Sequence, residues 1–221
     1  YSNLLDDIYA VIHLAGISND PSCDLDPYYT NKINVEGTRK LARMCKEKGV
    51  KRFIFSSSCS VYGSGITTQL NENSPKQPVS LYAKTKLECE NILLDMINDN
   101  FYPTILRNGT VFGYSPKIRF DLIVNVMTKN AVKNKKVIVF GEGKQWRPNV
   151  HVKDVCKAII KVLEAPIEKV KGEVFNVGSN ELNFQVYRVA EKVKSEIKDL
   201  EIEFVTADPD NRDYNVNFDK I

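Results

Sequence analysis

The chain has 221 residues, of which 43% are apolar and 27% charged, with a formal net charge of +3. These values are typical of a globular protein and exclude a disordered or fibrous one. Acidic and basic residues are interspersed, and no apolar run approaches the roughly 18 residues of a membrane span, so we predict neither a nucleic-acid partner nor a membrane.

Short apolar runs alternate with longer segments in which apolar residues recur every three or four positions. The short runs predict strands at Ala10–Leu14, Phe53–Phe55, Tyr102–Leu106, Val137–Phe140, Val174–Val177 and Glu201–Val205. The longer segments predict helices at about Tyr29–Lys48, Leu81–Asn98, Phe120–Lys133, Val152–Leu163 and Asn183–Ile197. Because strands that alternate with helices form parallel sheets covered on both faces, we predict an α/β fold with an open, doubly wound parallel sheet.

The two halves of the sequence differ in regularity. Residues 1–113 contain the more regular alternation, and a polar loop with denser lysine and asparagine follows Gly113. We therefore predict a smaller, mixed α/β substrate-binding region over residues 114–221, with some segments that return to the main sheet.

Two polar clusters lie where predicted elements meet. Ser56–Gly63 follows the strand at Phe53–Phe55, and ligands bind at the carboxyl ends of strands in open α/β sheets. Tyr82–Lys86 opens a helix, so its tyrosine and lysine, four positions apart, share one helix face. A neighbouring ammonium favours the phenolate and lowers the phenol pKa. Tyr82 is therefore a candidate general base or acid, and Ser58 a candidate hydrogen-bond donor to the same substrate oxygen.

Each cluster alone has a simpler interpretation. A tyrosine and a lysine four apart occur by chance on many helices, and a run of serines is also typical of a helix N-cap or a polar loop. The order of a strand, serines, Val-Tyr-Gly and then Tyr-x-x-x-Lys at a helix start favours a catalytic site.

At these residues the sequence resembles the extended short-chain dehydrogenase/reductase family, and within it the nucleotide-sugar epimerases and dehydratases. Ser56–Gly63 is similar to the family's serine strand and Tyr82–Lys86 to its Tyr-x-x-x-Lys motif. Similar segments follow in the family order at His13–Gly16, Asn34–Thr38, Leu106–Gly113, Gln145–Asp154 and Asn211–Tyr214. The resemblance implies a Rossmann-type fold, with residues 1–113 as the remainder of the NAD(P)-binding domain. It also implies NAD as cofactor, with NADP left open, and a nucleotide-diphosphate sugar as partner.

The resemblance further implies roles for individual residues. Ser58, Tyr82 and Lys86 would be catalytic. The cofactor would be bound by Leu14, Ala15, Gly16, Asn34, Ser56, Tyr82, Lys86 and Asn108. The substrate would be bound by Ser58, Thr110, Arg147, Asn176 and Arg212. The two arginines would hold the diphosphate, which suits guanidinium geometry, and the alternative is that both form surface ion pairs.

Three positions depart from the family patterns. Cys59 and Ser60 stand where the 4,6-dehydratases have an Asp-Glu pair, which disfavours dehydration. Ser60 also stands where GDP-fucose synthases have a reactive cysteine, and Cys59, on the opposite side of a strand, is expected to be a packed thiol. Thr110 stands where many 4-epimerases have asparagine, which leaves the sugar contacts open.

The remaining pattern predicts an NAD-dependent nucleotide-sugar epimerase that oxidises and re-reduces a sugar carbon, C4, through a keto intermediate. An NAD(P)H-dependent ketoreductase or dehydratase of the same family is the alternative, and a non-catalytic NAD(P)-binding relative is a third. The only two histidines, His13 and His151, are expected to be structural. A hydrolase or transferase would need its own motif, and neither Gly-x-Ser-x-Gly nor a Walker loop is present.

The five cysteines are scattered and contain no Cys-x-x-Cys pair. This argues against a disulfide framework and against a zinc site, so we expect no metal and a reducing, cytoplasmic location.

Two further expectations come from the resemblance alone. The family's glycine-rich diphosphate loop has no counterpart before His13, so we expect about 60 residues to precede Tyr1 in the natural protein and this segment alone to bind dinucleotide weakly. Family members often dimerise through two helices, here about Thr30–Lys48 and Leu81–Asn98, which implies a homodimer.

Overall fold

The computed structural model of the chain describes residues 2–64, 69–206 and 212–221. Its strands are β1 (Ala10–His13), β2 (Arg52–Ser58), β3 (Tyr102–Asn108), β4 (Thr110–Phe112), β5 (Lys136–Phe140), β6 (Trp146–His151), β7 (Val174–Val177), β8 (Asn183–Gln185) and β9 (Glu201–Val205). Its α-helices are α1 (Asp20–Leu25), α2 (Pro27–Asn31), α3 (Gly37–Glu47), α4 (Leu81–Asp95), α5 (Ile123–Asn134), α6 (Val152–Glu164), α7 (Ile167–Val170) and α8 (Val186–Glu196). A π-helix at Lys32–Glu36 joins α2 to α3.

The main sheet contains four parallel strands in the order β1-β2-β3-β7. Strand β2 pairs with β3 over its whole length, so that Ser58 at the end of β2 lies opposite Asn108 at the end of β3. Strand β7 joins the sheet from the second half of the chain. The predicted α/β fold with a parallel sheet is confirmed.

Both faces of the main sheet are covered. Successive residues of a strand point to opposite sides, so the apolar residues of β2 pack against helices on each face. Phe53 and Phe55 of β2 pack with residues of α3 and α4, among them Leu93. Ile54, between them, packs on the other face with Ala158 and Val162 of α6. One short apolar strand therefore contributes to two separate cores, which is the basis of the doubly wound arrangement.

The second half of the chain also forms two small sheets. Strands β4, β6 and β8 form a mixed sheet, in which β6 is parallel to β4 and antiparallel to β8, and β5 pairs in parallel with β9. Helices α5 and α8 cover a separate core that includes Met127, Val139 and Val189. This matches the predicted smaller mixed region, and the boundary at residue 113 stays a prediction.

Three elements differ from the sequence-based expectation. The helix predicted at Tyr29–Lys48 contains the π-helix, and the helix predicted at Asn183–Ile197 begins three residues later, because Asn183–Gln185 pairs with β6. Strand β6, which contains Pro148, is not among the predicted strands. Strands of three residues, such as β4 and β8, are too short to show a period of two.

None of the helices among the described residues is long and apolar enough to cross a membrane. The same residues contain no group of three or more histidine, cysteine or acidic side chains placed to hold a metal ion. All five cysteines fall within the described ranges and are free thiols, four of them buried and Cys156 exposed.

Candidate active site

A cavity of about 520 Å³ opens at the carboxyl ends of β2 and β3. Six of the residues predicted from the sequence line it, namely Ser56, Ser58, Tyr82, Asn108, Thr110 and Arg212. The cavity therefore lies at the edge of a parallel sheet where α/β proteins bind ligands.

Ser58 is held at the rim of this cavity by its position between two elements. It ends β2 and caps the short 3-10 helix at Cys59–Tyr62, and its Oγ accepts a hydrogen bond from the Ser60 amide at 3.1 Å. A serine hydroxyl that already accepts still has its own hydrogen to donate. Ser58 is thus placed to donate to an oxygen of a bound ligand.

Tyr82 lies in the first turn of α4. The helix begins there because Ser80 caps it, with Ser80 Oγ accepting from the Ala83 amide at 3.2 Å. Burial raises the pKa of the Tyr82 phenol, and the nearby charge of Arg119 acts in the opposite direction. Burial therefore acts against the lowered pKa that the Tyr-x-x-x-Lys spacing predicts, and it outweighs the Arg119 charge.

Lys86 lies beneath Tyr82 on the same helix face, as the spacing predicts. Its Nζ is 5.7 Å from the centroid of the Tyr82 ring and donates to Ser56 O at 2.7 Å. Burial lowers the pKa of Lys86 to about 8. An ammonium has three hydrogens, and Ser56 O accepts one, so the same group can also donate to hydroxyls of a ligand.

The loop after β1 borders the cavity without its first residues lining it. Asn34, in the π-helix, accepts from the Ile17 amide at 2.8 Å and donates to Ile17 O at 3.0 Å. Gly16 lies directly against this side chain, since a Cβ there would be 3.0 Å from Asn34 Oδ1. Leu14 is 60% exposed. Leu14, Ala15, Gly16 and Asn34 therefore form and brace a segment beside the cavity.

Only the nitrogen of the Asn108 side-chain amide has hydrogen-bond partners among the described residues. Its Nδ2 donates to Ser56 Oγ at 3.0 Å and to Ser57 O at 3.3 Å. Its Oδ1 is buried and has no hydrogen-bond partner among the described residues. A buried polar atom without a partner is costly, so Asn108 Oδ1 is suited to accept a hydrogen bond from a ligand in the cavity.

Two predicted substrate-binding residues lie outside the cavity. Asn176 is fully buried, where its Oδ1 accepts from the Tyr62 hydroxyl at 2.8 Å. Arg147 is 6% exposed, and its guanidinium donates to the backbone oxygens of Trp146 and Arg212. Arg147 therefore supports the segment of Arg212, and Asn176 supports the core below β2 and β3.

Arg212 itself lines the cavity and pairs with Asp20, with Nη1 2.7 Å from Asp20 Oδ2. The guanidinium contacts a cavity-lining acid from the other half of the chain, and its role in holding a diphosphate stays a prediction. Asn211, at the start of the predicted Asn211–Tyr214 segment, lies outside the described residues.

Sequence reasoning missed the cavity residues of the loop after Gly113, among them Arg119 and Asp121. Arg119 donates to Ser18 O at 3.0 Å and pairs with Asp121 at 2.5 Å, and both side chains line the cavity. This contact connects segments 101 positions apart. The polar composition of the loop was the only signal, because no local pattern indicates which distant segment a loop will contact.

Both histidines and Cys59 have structural contacts. Burial lowers the pKa of His13 to about 4, and its Nε2 is 2.8 Å from Thr38 Oγ1. His151 caps α6, its Nδ1 accepting from the Lys153 amide at 3.2 Å. The Cys59 thiol is buried and donates to Arg107 O at 3.1 Å, and burial raises its pKa.

Comparison with known proteins identifies relatives of this site. The sequence model of the NAD dependent epimerase/dehydratase family matches residues 2–178. The chain is 31% identical over 185 residues to an uncharacterized UDP-glucose epimerase, YtcB, of Bacillus subtilis, covering 81% of this chain and 56% of the relative. It is 27% identical over 197 residues to the dTDP-D-glucose 4,6-dehydratase of Mus musculus, covering 89% of this chain and 54% of that enzyme.

Among solved structures, the fold is similar to that of MoeE5 in complex with UDP-glucuronic acid and NAD. The TM-score is 0.86 at 25% identity, over 99% of this chain and 73% of that one. The chain spans about half the length of the curated relatives it matches.

Proposed function

The chain belongs to the NAD dependent epimerase/dehydratase family, and from this premise we propose that its cavity is the catalytic site of an NAD-dependent nucleotide-sugar 4-epimerase. One observation carries the proposal. Ser58 and Tyr82 converge on a single cavity, with the Lys86 ammonium 5.7 Å from the Tyr82 ring. A hydrogen-bond donor, an acid/base and a fixed cation around one oxygen are the groups that alcohol oxidation requires.

The residues beside the cavity fit the cofactor of the family. NAD supplies the acceptor and, once reduced, the donor of the hydride. Asn108 Oδ1, buried and without a partner among the described residues, can accept from an amide such as that of nicotinamide. The free hydrogens of Lys86 and the Ser56 hydroxyl suit ribose hydroxyls. Leu14, Ala15, Gly16 and Asn34 would form the adjoining part of the cofactor site.

In this mechanism Tyr82, as phenolate, takes the proton of the sugar hydroxyl at C4. Ser58 donates a hydrogen bond to the same oxygen and holds it as it becomes a carbonyl. Tyr82 returns the proton when the keto sugar is reduced from its other face, so acid, base and cofactor all end as they began. The Lys86 cation stabilises the phenolate against the burial that raises the Tyr82 pKa. Thr110 and Arg212, which also line the cavity, would bind the nucleotide sugar.

The acids of the cavity favour epimerisation over dehydration. Elimination of water needs a protonated acid next to the leaving hydroxyl. The Asp121 carboxyl is paired with Arg119, which lowers its pKa, and Asp20 is paired with Arg212 at 2.7 Å. Cys59 is buried away from the cavity, and Ser60, which lines it, has no acidic group. A ketoreductase uses the same residues and is the second candidate.

Product analysis of the complete protein distinguishes these reactions. With UDP-, GDP-, CDP- and dTDP-hexoses and NAD, we expect an epimer of one sugar without net formation of NADH. Stoichiometric formation of NADH together with a keto sugar would indicate a ketoreductase running in its oxidative direction, and a product lighter by one water would indicate a dehydratase. Either result would overturn the epimerase proposal.

Tyr82→Phe tests the catalytic assignment. Because the variant keeps the ring and removes only the hydroxyl, we expect unchanged folding and a fall in kcat of about 10²- to 10⁴-fold. Tyr187→Phe, on α8 and outside the cavity, is the matched control and should keep full activity. More than a tenth of wild-type activity in Tyr82→Phe would contradict the role of Tyr82.

We also propose that the protein is a homodimer and is located in the cytoplasm. Four large apolar side chains around α1 and α2 are exposed, namely Leu25, Tyr28, Tyr29 and Ile33. An exposed apolar cluster supports a protein contact, and five free thiols support a reducing compartment.

A further inference from the structure

Helix α4 has a third ionisable side chain, that of Glu90, on the face that includes Tyr82 and Lys86. Glu90 follows Lys86 by four positions and is 1% exposed. The proposed mechanism does not use it. A carboxylate in such a position is strongly unfavourable unless it is paired and hydrogen-bonded, so its partners indicate its purpose.

The Glu90 carboxylate joins three elements of the fold. Arg107 of β3 donates to it from both sides of the guanidinium, with Nη2 2.6 Å from Oε2 and Nε 3.1 Å from Oε1. Ser57 of β2 donates to Oε1 at 2.5 Å. Ser57 and Arg107 are partners in the pairing of β2 with β3. One side chain of α4 is therefore bonded to a matched pair of positions on two neighbouring strands.

This contact lies one residue before the strand ends that line the cavity. Ser58 follows Ser57, and Asn108 follows Arg107, each pointing to the opposite side of the sheet. A slide of α4 along the sheet by one helical turn, about 5.4 Å, would break every hydrogen bond from Ser57 and Arg107 to Glu90. The contact thus determines how far Tyr82 and Lys86 lie from Ser58 and Asn108.

We propose that Glu90 is a positioning residue: it holds α4 in register with β2 and β3 and keeps the Arg107 cation paired, so that Lys86 stays an ammonium beneath Tyr82. The inference rests on the proposed function for the roles of Tyr82 and Lys86, but the contacts of Glu90 do not depend on it.

The charges around Lys86 and Glu90 determine in which direction the loss of Glu90 shifts the Lys86 pKa. The titratable groups that face Lys86 are His13 of β1, Cys23 of α1, and Tyr82, Cys89 and Glu90 of α4. Burial lowers the Lys86 pKa to about 8, and Cys89, Glu90 and Cys23, in that order, act in the opposite direction.

The groups that face Glu90 include two further cations besides its partner Arg107. They are Arg107 of β3, Ser57 of β2, Cys59, Lys76 and, on α4 itself, Lys86 and Cys89. Without the carboxylate, the Arg107 side chain, 3% exposed, becomes an uncompensated cation in the same interior. The loss of the Glu90 charge and the unpaired charge of Arg107 both disfavour the protonated, positively charged form of Lys86.

The test measures the titration of Lys86 in Glu90→Gln. In protein labelled with [13C]lysine, the Lys86 Cε resonance is assigned by its loss in Lys86→Met and followed from pH 6 to 11. We expect a midpoint near pH 8 in the wild type and one at least about half a unit lower in Glu90→Gln. In the active protein the fall of kcat on the basic side should move by the same amount, with little change in KM.

Three further variants complete the design. Glu88→Gln, on the solvent-facing side of the same helix and half exposed, is the matched control and should titrate as the wild type does. Glu90→Asp keeps the charge and should hold the Lys86 midpoint within a few tenths of a unit. Glu90→Gln/Arg107→Met removes both charges and should fold even where the single variant does not, with a midpoint between the wild type and Glu90→Gln.

A Lys86 midpoint in Glu90→Gln equal to that of the wild type would overturn the inference. Where Glu90→Gln does not fold, the Lys86 midpoint is measured in Glu90→Gln/Arg107→Met instead. A midpoint equal to that of the wild type would again overturn the inference. Failure of the proposed function looks different, because a protein that turns over no nucleotide sugar would still show the shifted Lys86 titration.

Discussion

At the scale of single residues, burial decides the charge states of the site more than neighbouring charges do. Lys86 is 7% exposed, and its pKa is lowered to about 8. The same desolvation raises the pKa of Tyr82 and lowers that of His13. Functional sites commonly contain groups of this kind, which cost stability in order to keep a reactive charge.

The Lys86 environment predicts a specific pH dependence of stability. Lys86 has a pKa near 8 in the folded chain and about 10.4 when unfolded, so between these values the unfolded state binds more protons. Its contribution to the free energy of unfolding is therefore unfavourable below pH 8 and is relieved as the pH rises from 8 to 10.5, by roughly 3 kcal/mol in total.

Urea unfolding of wild type and Lys86→Met at pH 7.5 and pH 10 measures this contribution. Other lysines, tyrosines and thiols titrate in the same range, but they are common to both proteins and cancel in the comparison. We expect the free energy of unfolding of the wild type to rise relative to that of the variant between the two pH values. An identical pH dependence in both proteins would show that Lys86 titrates as an exposed lysine does.

At the scale of elements, the beginning of α4 and the π-helix before α3 position the site. The π-helix places Asn34 where it bonds both backbone groups of Ile17, and such single-turn π segments are frequent at functional sites. The first turn of α4 positions Tyr82, and its amides depend on Ser80. A substitution that disrupts the π-helix or the first turn of α4 would therefore displace Asn34 or Tyr82 without changing that side chain itself.

Ser80→Ala tests this dependence. Removal of an N-cap hydroxyl costs about 1 kcal/mol and frays the first turn. Because Tyr82 lies in that turn, we expect a several-fold lower kcat together with the lower stability, measured by steady-state kinetics and urea unfolding. Ser80→Asp, which caps equally well, should restore both.

Ser195→Ala is the control for this prediction. Ser195 donates to Lys192 O at the end of α8 and is exposed, so its loss should change stability by less than about 0.5 kcal/mol and leave kcat unchanged. Wild-type kinetics in Ser80→Ala, or no recovery in Ser80→Asp, would show that Tyr82 is positioned without the cap.

At the scale of the whole molecule, the chain contains separate cores under separate sheets. The core around Phe53 and Leu93 supports the main sheet, and that around Met127, Val139 and Val189 supports the β5-β9 sheet. The cavity lies where contacts from both halves meet, through the pair of Arg212 with Asp20 and the bond from Arg119 to Ser18. The division near residue 113 stays a prediction, since β7 and α6 of the second half pack with the main sheet.

Val139→Ala tests whether the two cores unfold separately. Val139 is fully buried, so loss of two methyl groups should cost roughly 2 kcal/mol. We expect hydrogen exchange to become faster in β5, α5, α8 and β9 and to stay unchanged in β2 and β3. Ile138→Ala, at the adjacent and 42% exposed position, is the control. Equal acceleration in both halves would mean that the chain unfolds as one unit.

The sequence alone determined the four strands of the main parallel sheet, the pair β5 and β9, and the approach of Tyr82 to Lys86. These features depend on local periodicity, which is a property of neighbouring residues. The pattern of Phe53, Ile54 and Phe55 required a strand buried on both faces, and the spacing of the motif required a shared helix face. Neither expectation depends on contacts between residues that are distant in the sequence.

Only the tertiary structure decided which residues reach the cavity and which charges they have. Arg147 and Asn176 turn away into the core, while Arg119 and Asp20 reach the cavity from segments far apart in the chain. The direction of the Tyr82 pKa shift, the bond of Glu90 to Ser57 and the strand at β6 likewise depend on contacts between distant positions. Desolvation and long-range pairing arise from the packing of the whole molecule, so no local pattern contains them.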